Sequence, residues 1–224
     1  TYIAAVKAQG AGSDMTDAMP SALTDWTCSQ GNGPGTYATT FTETYSNGTD
    51  NPKFVAGDIM SQTISGLPAG YYRVQFYGVV NSAWSVSDIS ETTSNLVQAY
   101  ANSTTADIDV YAQTACTPTD YLRTIEAEVT ESGTLTYGLK AKDGVTDAGN
   151  WAVAQVYSLT FLGSTKYDYT INAVADETII KANMATGTLW PGEEFGAYVP
   201  YVILYNSKYY VLDDNSTYYK SFTM

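Results

Sequence analysis

QTISGLPAGYYRVQFYGVV, residues 62–80, reads as two strands with a turn between them. Leu67, Pro68, Ala69 and Gly70 make a turn between two strands, because Pro and Gly supply the backbone angles that turns need. In the second strand Tyr72, Val74 and Phe76 share one face, and Arg73, Gln75 and Tyr77 share the other, since side chains alternate with period 2.

The same rhythm recurs outward from this segment, in short alternating runs bounded by Gly, Asn, Asp or Pro. Further strands are expected at 96–101 (LVQAYA), 107–112 (DIDVYA), 123–130 (RTIEAEVT), 134–140 (TLTYGLK) and 151–162 (WAVAQVYSLTFL). In RTIEAEVT, Ile125, Ala127 and Val129 point one way and Glu126 and Glu128 point to solvent. That pattern predicts a one-sided sheet packed on a second sheet. Residues 14–25 are expected to hold a short helical turn, and 27–53, rich in Gly, Thr and Asn, a long loop. The rhythm pauses at GSTK, 163–166, so two domains are expected, 1–164 and 165–224. In the second, YVILY (201–205) and YYVL (209–212) flank Asn206, Ser207 and Lys208 as a hairpin. The fold class is all-β.

Composition narrows function. The 224 residues carry 10 Lys+Arg against 23 Asp+Glu, a net charge of −13, which disfavours nucleic acid and anionic membrane surfaces as partners. The apolar run YVPYVILY (198–205) falls far short of the roughly 20 residues that span a bilayer, and Pro200 interrupts it. No membrane-spanning segment is expected. There is no histidine, which excludes Ser-His-Asp and Cys-His catalysis and HExxH zinc sites. Charged residues make up 15%, below the globular average of about 25%, while Ser, Thr, Asn, Gly and 20 Tyr are abundant. This is the profile of extracellular β proteins. Residues 1–8, TYIAAVKA, lack the h-region of a signal peptide, which fits a mature secreted chain. Cys28 and Cys116 read equally as one disulfide and as two separate thiols.

Taken together, GLPAGYYRVQFYG (66–78), NLVQAYAN (95–102), ESGTLTYGL (131–139) and GNWAVAQVYSLTFLG (149–163) resemble a galactose-binding-domain-like β-sandwich, the jelly roll of many carbohydrate-binding modules on secreted bacterial proteins. The resemblance covers roughly residues 14–163. It implies a glycan or polysaccharide partner, bound without chemistry at loops at one end of the sandwich. An aromatic ring lies under the sugar in that family, with Asn or Asp at its hydroxyls. The matching positions are Asn150 and Trp151, and the loop after the aromatic strand offers Asn81 and Trp84. Trp151 also reads as core, because it opens an alternating strand, and Trp26 reads as a core plug beside Cys28. The family's structural calcium is put in doubt: the acidic position of the last strand is Gln155, and the opening strand TYIAAVKAQ has no carboxylate. KDGVTDAGN, with Asp143, Asp147 and Asn150, offers oxygen ligands but no EF-hand spacing, and a solvated acidic turn is the reading taken. No cofactor is expected.

The tail YNSKYYVLDDNSTYYKSFTM is similar to the ends of small β repeats in bacterial surface proteins. That implies a small, Tyr-rich β module of a larger multidomain chain, displayed outside the cell or on its surface. Two alternatives stand beside the sugar-binding reading. One is a structural or adhesive spacer without a sugar site. The other is a glycoside hydrolase component using two carboxylates from among Glu43, Glu126, Glu128, Glu193 and Glu194. No Walker loop, GxGxxG or GxSxG is present, and the Gly-rich GNGPG (31–35) lacks the Lys and helix that hold phosphate.

Overall fold

The computed structural model describes residues 12–37, 39–45, 53–81, 96–108, 121–175, 178–190, 194–198, 202–211 and 219–223. Contacts divide them into one compact unit from Ser13 to Phe161 and a second that includes the described residues from Leu162 onward.

The first unit contains β1 (Ser13–Asp14), β2 (Thr27–Cys28), β3 (Gly35–Tyr37), β4 (Phe41–Tyr45), β5 (Gly57–Ser65) and β6 (Gly70–Asn81). It continues with β7 (Val97–Ala101), β8 (Thr104–Asp107), β9 (Leu122–Val129), β10 (Thr134–Ala141) and β11 (Trp151–Gly163). One sheet runs β3-β4-β11-β6-β9, with β1 also on β11, and the other runs β2-β5-β10-β7-β8. The pairs β4 with β11, β5 with β10, β6 with β9 and β7 with β8 are antiparallel. Members of this series alternate between the two sheets, as when a long antiparallel ribbon is rolled up. That is the jelly-roll β-sandwich.

The inner faces make the core. Tyr72, Val74 and Phe76 of β6 and Ile125, Ala127 and Val129 of β9 are all buried, as the alternation requires. They meet Leu135, Tyr137 and Leu139 of β10 in one hydrophobic cluster. Trp26 is buried against Phe76 and, edge-on, against Tyr137. Several polar atoms of this core have partners. The Tyr137 hydroxyl donates to Gln62 Oε1 at 2.5 Å, Gln62 Nε2 donates to the Pro20 carbonyl, and the Tyr72 hydroxyl closes the 66–69 turn on the Pro68 carbonyl at 2.8 Å.

The expected helical turn appears as two 3-10 turns, Thr16–Ala18 and Leu23–Asp25. The expected loop at 27–53 differs: it contains β2, β3 and β4. Its threonines look like loop residues, yet Thr42 and Thr44 are fully buried because their hydroxyls donate to the carbonyls of Leu23 and Gln30. The glycines of 31–35 let this segment lie flush on β4. A Cβ at Gly31 would sit 2.1 Å from the Tyr45 carbonyl oxygen, and one at Gly33 would sit 2.6 Å from Cys28 Sγ. The strand expected at 107–112 is displaced to β8, with Ile108 buried behind it and 109–112 outside the described residues.

The second unit contains a long hairpin of β12 (Tyr167–Ala175) and β13 (Thr178–Leu189). It also contains the pair β14 (Glu194–Tyr198) with β17 (Tyr219–Thr223), and the hairpin β15 (Val202–Tyr205) with β16 (Lys208–Val211). Asn206 and Ser207 both take positive φ, 48° and 60°, the type I′ geometry that matches strand twist. Lys166 Nζ lies 4.6 Å over the Trp190 ring, and the Tyr169 ring covers Gly187 across the β12–β13 pair. Among the described residues no helix is long and apolar enough to cross a membrane.

Candidate functional site

The outer face of the β3-β4-β11-β6-β9 sheet is unusual for a surface. Alternation directs Tyr37, Phe41, Glu43, Tyr45, Trp151 and Tyr77 away from the core, with Val79, Val153, Gln155 and Tyr157 beside them. Phe41, Val79 and Val153 form a second buried cluster, with Tyr77, Tyr121 and Trp151 packed on it. The rings join edge to face. Centroids are 5.2 Å apart for Trp151 and Tyr37, 6.4 Å for Tyr37 and Phe41, 6.4 Å for Phe41 and Tyr77, and 5.2 Å for Tyr77 and Tyr157. Tyr37, Tyr45 and Tyr157 remain 37%, 42% and 49% exposed, so an aromatic band reaches solvent.

Polar groups are set among these rings. Burial and the neighbouring Glu43 carboxylate raise the Tyr45 phenol above its ordinary range. The Glu43 side chain lies over Gly35, where a Cβ would sit 3.0 Å from its Cγ. Gln75 is held by Thr124 and Ser158, and Arg73 pairs with Glu126 at 2.6 Å. Such a face offers apolar ring surface with acceptors and donors beside it, and that suits a ligand with an apolar side and many hydroxyls.

Of the residues singled out from sequence, Trp151 opens β11 opposite Tyr45 and is half-buried in the aromatic band, on the side of the sheet away from the main core. Asn150, just before it, is buried. Gln75 meets Ser158 and Tyr77 meets Tyr157, so β6 runs opposite to β11. Asn81, the last residue of β6, therefore lies at the end of the unit where Asn150 and Trp151 begin β11. Trp84 lies outside the described residues, as does Cys116, and Cys28 is a free thiol in this structure. Cys28 is half-buried, and that burial raises its thiol. In the 142–150 loop, Lys53 Nζ pairs with Asp147 Oδ2, and Asp147 Oδ1 accepts from Gly149 N. Among the described residues no group of three or more acidic or cysteine side chains is placed to hold a metal.

Sequence reasoning missed Tyr37, Phe41, Tyr45, Tyr77 and Tyr157. The signal for Tyr77 and Tyr157 was the polar face of their own alternating strands. For Tyr37, Phe41 and Tyr45 it was hidden by the reading of 27–53 as loop. A cleft elsewhere in the same unit, lined by Asp17, Asp25, Met19, Pro20 and Thr63, contains no aromatic ring.

No protein-family model matches the sequence, and no curated protein matches it. Among solved structures, the chain is similar to a family-61 carbohydrate-binding module described in complex with beta-1,4-galactotriose. The TM-score is 0.32 and the identity 13%, over 63% of this chain and 91% of that one. The sandwich assignment for this chain rests on its strand pairing.

Proposed function

We propose that this protein is a non-catalytic carbohydrate-binding protein, with its glycan laid on the outer face of the β3-β4-β11-β6-β9 sheet around Trp151. The observation that carries this reading is the band of rings from Trp151 through Tyr37, Phe41 and Tyr77 to Tyr157, exposed at Tyr37 and Tyr157 and interleaved with Glu43 and Gln75. The C–H face of a pyranose is apolar and weakly positive, so it stacks on an aromatic face while side-chain oxygens take its hydroxyls. The resemblance to galactose-binding-like sandwiches supports the same reading and extends the site to Asn81 and Asn150 at the adjoining end, and to Trp84. Display outside the cell or on its surface, as a piece of a larger bacterial chain, belongs to this proposal and is supported by the low-charge, Tyr- and Thr-rich composition.

The test is a glycan-array screen of the intact chain with and without chelator, followed by Tyr37→Ala and Trp84→Ala. A reproducible hit that both substitutions weaken, without loss of thermal stability, is the expected result. Silence across neutral and charged glycans overturns it. One observation favours the second reading, a structural or adhesive protein. The β15–β16 hairpin turns Val202, Leu204 and Tyr209 outward, with Leu204 61% and Tyr209 74% exposed.

A further inference from the structure

We propose that Glu43 is the group that reads the ligand's hydroxyls and that it restricts the aromatic face to neutral glycans, excluding uronate-bearing and sulfated ones. This rests on the reading of the face as a glycan site. Glu43 sits at the centre of the exposed rings. Its cross-strand neighbours are Gly35 on β3 and Val153 on β11, and its neighbours along β4 are Phe41 and Tyr45. Tyr37 faces Phe41 and Trp151 faces Tyr45, so their rings meet diagonally across the strand position that Glu43 occupies. Gly35 leaves the space in which the Glu43 carboxylate rests, since a Cβ there would lie 3.1 Å from Oε1.

A carboxylate only accepts hydrogen bonds, and its two oxygens offer about four lone-pair sites. Neighbouring sugar hydroxyls donate to such a group through charge-assisted bonds, roughly twice as strong as neutral ones. A second carboxylate or a sulfate brought to the same place has nothing to donate and meets a like charge. The cations of this face are engaged elsewhere: Arg73 with Glu126, and Arg123 with the Gly78 carbonyl and the Tyr121 ring. The net charge of −13 adds a long-range repulsion that salt screens.

The experiment is affinity electrophoresis of the full chain, at low and high salt, in gels cast with xyloglucan, galactomannan, galactan or polygalacturonate. Wild type, Glu43→Gln and Tyr37→Ala are compared, with thermal melts checking that each is folded. The expected result is retardation by at least one neutral polymer and not by polygalacturonate at low salt. Glu43→Gln, which keeps the shape and removes the charge, then loses about tenfold in affinity for the neutral polymer and gains measurable retardation by polygalacturonate. Retardation of the wild type by polygalacturonate equal to that by the neutral polymers overturns the proposal, as does a Glu43→Gln variant that binds the neutral polymer as the wild type does. In both cases loss of binding in Tyr37→Ala leaves the glycan face standing. No retardation by any polymer overturns the glycan face and this inference together.

Discussion

Tyr137 shows how far a single residue's reading extends. It is buried on β10 with Leu135 and Leu139, and a hydroxyl is tolerated there because Gln62 Oε1 accepts it at 2.5 Å inside the sandwich. Tyr137→Phe leaves that amide oxygen without its donor in a buried site, so a loss of about 1–3 kcal/mol is expected in urea unfolding. Gly138 beside it is required by contact. A Cβ there would stand 2.1 Å from the Met60 carbonyl oxygen and 2.8 Å from Ser61 Cα, both backbone atoms of β5. Gly138→Ala is expected to cost about 3 kcal/mol, read as a lowered denaturant midpoint, because neither strand yields without breaking the β5–β10 register. Trp26 fits the same logic from the other side, a ring read as a core plug from its neighbourhood and found buried on Phe76 and Tyr137.

At the scale of elements, the turns carry the most specific chemistry. Asn102, in the two-residue connection from β7 to β8, takes φ of 47°. Its Nδ2 donates to the carbonyls of Glu128 and Thr134, and its Oδ1 accepts from Thr136 N. One side chain thus ties a hairpin turn to β9 and β10. Asn102→Ala strains the left-handed backbone and strands those groups, so its melting midpoint is expected to fall by an amount matching about 2–3 kcal/mol; Asn102→Gly is expected to recover only the backbone part. Ser207 presents the opposite case. It takes φ of 60° as the second residue of the β15–β16 turn, where Gly is at ease and Ser is not. Ser207→Gly is expected to stabilise that hairpin by about 0.5–1 kcal/mol, visible as slower amide exchange in β15 and β16.

For the whole molecule, the absence of histidine has a consequence in pH dependence. Asp14 and Asp107 are held below the usual carboxylate range, Asp14 by Thr16 and Asp107 by Gln98 and Lys142. What they contribute is present above the unfolded value of about 3.9 and is lost as pH falls through their lower folded values. Burial pushes Tyr72 up to about 12, and it raises Tyr100 and Tyr137 as well. A phenol raised in the folded state contributes stability that is complete below its unfolded value, about 10, and is lost as pH rises through the folded one. Thermal midpoints are therefore expected to be flat from about pH 5 to 8, to fall at strongly acid pH, and to fall again above about pH 10. Phenolate absorbance appearing together with unfolding checks the alkaline limb. A midpoint that moves by many degrees between pH 5 and 8 contradicts it.

Read from the sequence alone are the β class, the turn at 67–70 between two strands, the inward Tyr72, Val74 and Phe76, the outward Glu126 and Glu128 of β9, and the closing strand from Trp151, because period-2 alternation and turn residues are local signals; that the turn carries the chain from one sheet to the other, β5 to β6, is set by pairing with distant strands. The sequence also singled out Trp151 and the hairpin around Asn206. That residues 27–45 contain strands emerged from long-range contacts, since a buried Thr42 or Thr44 looks polar until its hydroxyl finds a distant carbonyl. Only the tertiary structure gathered Tyr37, Phe41, Tyr77, Trp151 and Tyr157 into one band, because they come from β3, β4, β6 and β11, strands whose adjacency is set by the rolling of the whole ribbon. Alternation tells which face of its own strand a side chain takes, and pairing between distant strands tells what it meets there.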